Sequence, residues 1–152
     1  MTTEIMNLFA PVTALLNDFA QMFDEEYTVE LHHKFDADNI ADVIGYTVVM
    51  PSDSVDEFTA DFVRRFPACK CFHPFTLSFM HELGHLETEW DMVDDTEERN
   101  RITDNATYFR LHNERIATDW AGDYLTEHTA EMLIIERQVL TMLHKIWQSI
   151  PD

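Results

Sequence analysis

The sequence predicts an α+β fold: a small antiparallel β-sheet, packed with a helix that carries His81-Glu82-Leu83-Gly84-His85, ahead of a mostly helical C-terminal half. Three observations predict it. Apolar residues recur at helical spacing near the N-terminus and again after Tyr108. Residues 27–33 alternate and are rich in β-formers, and residues 42–50 form a second such run across a polar turn. The His-Glu pattern lies on a stretch whose Phe75, Phe79, Leu83 and Leu86 share one helical face.

In order, Ile5, Leu8, Phe9, Val12, Leu16, Phe19, Met22 and Phe23 define an amphipathic first helix, with Pro11 kinking it or marking its true start. Its polar face is acidic, so packing on a core is expected rather than a membrane surface. The strand 27–33, a turn at Asp36 to Asn39 and the strand 42–50, ended by Pro51, form the predicted sheet. His32 and His33 are neighbours on a strand and point to opposite faces, so they do not share an ion easily. Ser54 can cap a helix running to about Phe66, with Phe58, Phe62 and Val63 inside. Lys70 to Phe72 reads as a short edge strand carrying one of the two cysteines, Cys69 and Cys71, which are too close in sequence for an ordinary disulfide. His73-Pro74 leads into the motif helix, which should end near Trp90. Seven acids and no base follow from Glu87 to Glu98, in a surface loop or partly helical excursion before a helix predicted over 108–128. A last helix starts at Thr129, with Met132, Ile135, Val139, Met142 and Leu143 as its core stripe.

The length of 152 residues suits one domain with a sizeable core. A formal charge of −19 repels nucleic-acid phosphates and attracts basic partners, so direct nucleic-acid binding is not expected. No basic leader precedes the first apolar residues and no apolar run is long enough to span a bilayer, so the expected location is cytoplasmic.

The motif carries the chemistry. On a helix, positions i and i+4 share a face, so His81 and His85 can reach one ion. Zinc suits two neutral imidazoles, a carboxylate and an open position. Glu82 points about 100° away around the helix, where it can touch a water at that position without being a ligand. The opposite, apolar face should pack on the core and leave the histidines facing a cleft, with the sheet edge beside it. A third ligand is needed. Glu114 is the best downstream candidate, since Ala117 and Ala121 on the same helix permit close packing. Thr118, one turn on from Glu114, can meet the outer nitrogen of a ligating histidine. Tyr108, Tyr124, His112 and His128 remain open as oxyanion donors.

The run Phe75-Thr76-Leu77-Ser78-Phe79-Met80-His81-Glu82-Leu83-Gly84-His85, with Glu114-Arg115-Ile116-Ala117-Thr118-Asp119-Trp120-Ala121 after it, resembles the ImmA/IrrE family of metallopeptidases. That family shows the same lead into H-E-L-G-H and a later E-x-x-A-x-x-F-A helix. Ile116 stands where many members carry a second acid. The likeness covers about a third of the chain, all in its second half. It implies a zincin-like arrangement with one zinc per chain, held by His81, His85 and Glu114, with Glu82 as base. It also implies a protein substrate, in the family's case a DNA-binding repressor, which suits a basic partner. The resulting expectation is a zinc-dependent endopeptidase. The alternatives are an acidic inhibitor that mimics nucleic acid, supported by the charge, and a zinc-binding interaction protein without turnover.

Overall fold

The computed structural model describes residues 3–30, 42–44 and 52–149. It overturns the α+β expectation, because the described chain is mostly helical. Helix α1 (Thr3–Gln21) is followed by β1 (Thr28–Glu30) and β2 (Asp42–Ile44). These strands pair antiparallel with Val29 opposite Val43, and at three residues each they are too short to form a layer. Helices supply packing surface to both described strands, and alternation over a few residues is a weak preference against such a surrounding. His32, His33, the turn at 36–39 and the rest of the predicted returning strand lie outside the described residues.

Helix α2 spans Ser52–Arg65 and closes with two basic residues, Arg64 and Arg65, which suit the negative end of its dipole. Arg65 forms an ion pair with Asp119. The predicted edge strand at 70–72 is a 3₁₀ turn, Pro67–Cys71. Pro67 starts it with its fixed φ, and the Cys69 N–H donates to Phe66 O at 2.9 Å. A run of only three residues cannot separate these two outcomes. Helix α3 (Pro74–Glu87) carries the motif and ends before Trp90. Its start is secured by the His73 ring, which accepts from the Phe75 N–H at 3.0 Å, and by Glu136, which accepts from the His73 N–H at 2.8 Å.

The acidic stretch is partly helical. A 3₁₀ turn at Glu89–Asp91 precedes the short helices α4 (Thr96–Asn100) and α5 (Asn105–Phe109). The helix predicted over 108–128 is therefore broken at Arg110 and Leu111, and α6 runs from His112 to Glu127. Helix α7 (Thr129–Ser149) follows directly.

Helix α3 lies in the middle, most extensively against α6 and also against α2 and β2, while α1 packs on α7 and β1. Val12, Leu16 and Phe19 of α1, Phe58 and Phe62 of α2, Leu77, Met80 and Leu83 of α3, Leu125 of α6 and Val139 and Leu143 of α7 join in one buried cluster. Met22, expected on the inner face of the first helix, lies past its end and is 75% exposed. No described helix is long and apolar enough to cross a membrane.

Candidate metal centre

Helix α3 is buried along its whole length from Phe75 to Leu86. The expectation of an apolar face on the core and a histidine face on an open cleft is thus corrected, since His81, Glu82 and His85 are 4%, 1% and 6% exposed. The polar face is covered by α6. The two helices meet through matched patterns, His81-Gly84-His85 on one and Glu114-Ala117-Thr118 on the other, each at i, i+3 and i+4. Small residues occupy the middle position of both, and a Cβ on Gly84 would lie only 2.4 Å from the Ala117 carbonyl oxygen. This close backbone approach is what places a carboxylate from α6 between two imidazoles from α3.

His81, His85 and Glu114 form a buried group that could hold a metal ion. The Nε2 atoms of the two histidines are 3.1 Å apart. Glu114 Oε1 is 3.2 Å from Nε2 of His81 and 3.3 Å from Nε2 of His85. A tetrahedral ion with ligand bonds of about 2.0–2.1 Å has donor–donor edges of about 3.3–3.4 Å, so the three atoms are spaced as three of its corners. The donor chemistry also fits. Burial pushes the His81 ring down from its usual range, which keeps the imidazole neutral. Burial pushes the Glu114 carboxyl up, but when the imidazole Nε2 atoms carry protons their hydrogen bonds outweigh it and hold the group well below the usual carboxylate range; an ion bound to the Nε2 lone pairs would take the place of those protons.

The surroundings orient the ligands. His81 Nδ1 is 2.8 Å from Thr118 Oγ1, so an Nδ1–H donating to that hydroxyl would leave the Nε2 lone pair facing Glu114. The Phe58 ring meets the His81 ring edge-on, with centroids 5.1 Å apart. Arg99 of α4 donates to Glu114 Oε2 at 3.2 Å and to the Tyr108 hydroxyl at 2.7 Å. Asn113, next to Glu114, clamps the Val93 backbone, accepting from its N–H at 2.9 Å and donating to its carbonyl at 2.8 Å. A pocket of about 360 Å³ opens on this side, lined by His85, Met92, Val93, Arg99, Tyr108 and Glu114 among others. It reaches two members of the buried group, His85 and Glu114.

Of the four oxyanion candidates, only Tyr108 lines this pocket. Burial, and then the charge of Glu114, push its phenol up to about 12; Glu82 adds a weaker push in the same direction. Tyr124 and His128 stack on each other at 4.2 Å, and Tyr124 joins an aromatic group with Phe19, Phe23 and Trp120. The exposed His112 donates from Nε2 to the Asp91 carbonyl at 2.9 Å. Sequence reasoning missed Arg99, Asn113 and Phe58 as parts of the site. The one signal was that Arg99 is the first base after seven acids.

Acid should empty this centre. A folded-state pKa below the unfolded value means that the unfolded chain binds more protons as pH falls. The stability that neutral His81 contributes is therefore present above about 6.5 and is lost as pH falls through its depressed folded value. Depression of Glu114 acts with the same sign at lower pH. Protons also compete for the donors, so retained metal should decline below about pH 6, as read by a colorimetric chelator. Full retention at pH 4 would contradict this.

No protein-family model matches the chain, and neither the curated proteins nor the solved structures yield a match.

Proposed function

We propose that the chain is a zinc-dependent endopeptidase of the ImmA/IrrE type, with His81, His85 and Glu114 as metal ligands and Glu82 as general base. The observation that carries this reading is the 3.1–3.3 Å triangle of His81 Nε2, His85 Nε2 and Glu114 Oε1. When bound, zinc would supply Lewis-acid polarisation of a peptide carbonyl and a lowered pKa for water at its open position. The Glu82 carboxylate takes the proton released as water attacks, then returns it to the leaving amine. Tyr108, at the pocket wall, is the phenol available to donate to the developing oxyanion. Thr118 holds the ring of His81 and Phe58 packs against it, which limits reorientation of that ligand.

The near-complete burial of all three ligands favours a second reading, a structural zinc site without turnover, since structural sites are closed. The pocket reaching His85 and Glu114 weighs for catalysis. Incubation of the zinc-loaded protein with a mixture of synthetic peptides, read by mass spectrometry, separates the two. Zinc-dependent cleavage supports the peptidase, and intact peptides support the closed site.

A basic protein substrate is part of the proposal. Glu89, Asp91, Asp94, Glu97 and Glu98 are exposed close to the pocket in sequence. Asp95 is not a free rim charge, because it is half-buried and pairs with Arg99 at 3.0 Å. Steering by the exposed acids is screened over a Debye length of ~10 Å at ~0.1 M salt. The expected outcome is that cleavage of basic peptides falls as salt rises. The quadruple change Asp91→Asn, Asp94→Asn, Glu97→Gln and Glu98→Gln should flatten that dependence and leave metal content unchanged. An unaltered salt dependence in this variant would reduce the segment to a solvated connection.

A further inference from the structure

We propose that Arg99 is the positioning residue of the metal centre, turning the Glu114 carboxylate toward the two histidines; this rests on the zinc reading above. The guanidinium makes contacts in three directions. Its NH2 group donates to Glu114 Oε2 at 3.2 Å and to Asp95 Oδ2 at 3.0 Å. Its Nε donates to Asp95 Oδ1 at 3.3 Å, and its NH1 group to the Tyr108 hydroxyl at 2.7 Å. The forked contact with Asp95 fixes the plane of the guanidinium. That plane fixes Oε2 of Glu114, which also lies 3.2 Å from His85 Nε2, and so sets Oε1 at 3.2 Å from the His81 Nε2 and 3.3 Å from the His85 Nε2.

An arginine beside a ligand carboxylate raises an objection, because its charge could weaken the ligand's hold on a cation. Asp95 answers it. Asp95 offsets the guanidinium charge, so Glu114 keeps its own negative charge for the ion while being held in place. Arg99 also ties the α4–α5 excursion to α6. Through Tyr108, the same side chain that orients a ligand holds the pocket wall. Lysine could not replace it, since one ammonium on a flexible stem cannot span Asp95, Tyr108 and Glu114 in a fixed fork.

The test is zinc affinity, measured by competition between a chromophoric chelator and the full-length chain, with no substrate present. Arg99→Gln should weaken zinc roughly 10–100-fold, the usual effect of losing a partner that orients a ligand. Arg99→Lys should recover little of that loss. Asp95→Asn keeps the arginine but cuts its anchor, and should lose a smaller factor; it serves also if Arg99→Gln does not fold by circular dichroism. If Arg99 acts through Glu114, then Arg99→Gln added to Glu114→Ala should bring no further loss. Wild-type affinity in both Arg99→Gln and Asp95→Asn overturns the inference. So does an Arg99→Gln penalty of the same factor in the Glu114→Ala background, which would mean a general structural role. If the wild-type chain takes up no zinc, the zinc reading fails and this inference with it. If the wild-type chain binds and these variants match it, only the inference fails.

Discussion

Glu82→Gln should abolish peptide cleavage while leaving zinc binding intact. The amide keeps the shape of the side chain at a position only 1% exposed, so the core around it has no reason to collapse. It cannot accept the proton that an ionised carboxylate takes from an attacking water. General base catalysis contributes about 10²–10⁴-fold, and loss of the same group as proton donor to the leaving amine pushes the expected deficit to the upper end. The comparison is single-turnover cleavage of a peptide by wild-type and variant at equal zinc occupancy. Cleavage by the variant within a few-fold of wild type would remove Glu82 from the mechanism.

Gly84→Ala should loosen the centre without touching a ligand. The added Cβ would sit 2.4 Å from the Ala117 carbonyl oxygen and 3.1 Å from its Cα, and all of these are backbone atoms. No rotamer change can relieve such a clash, so α3 and α6 must separate. Overpacking of this kind costs at least about 1–3 kcal/mol. In a chain of this size that is a fall in Tm of roughly 2–12 °C. Zinc affinity should fall too, because His81 and His85 move with one helix and Glu114 with the other. Differential scanning calorimetry and the chelator competition read the two effects. An unchanged Tm with unchanged affinity would mean that the helices are not held at this distance.

The parts of the site legible in the sequence are those set by helical periodicity. His81 and His85 one turn apart, with Glu114 ahead of Ala117 and Thr118, can be paired by spacing and residue size alone. The rest depends on neighbours from elsewhere in the chain. A helix face can be recognised as polar from its residues, but whether it meets solvent or a second helix is decided by packing, and here α6 covers it. The α+β expectation failed for a related reason. Alternation over a few residues is a weak preference, and a mostly helical surrounding left only Thr28–Glu30 and Asp42–Ile44 paired among the described residues. Arg99 looks like part of a charged surface excursion, and its role follows only from the fold bringing α4 over Glu114. Tyr124 and His128 carry the same chemical labels as Tyr108, and only their place in an aromatic group far along α6 removes them from the site.

The most direct measurement is the zinc content of the chain purified without chelator, by plasma mass spectrometry, for wild type and for His81→Ala and Glu114→Ala. One zinc per chain in the wild type, lost or sharply reduced in both variants, is the expected result. No zinc in the wild type after reconstitution, or equal zinc in all three, would contradict a metal centre built from His81, His85 and Glu114.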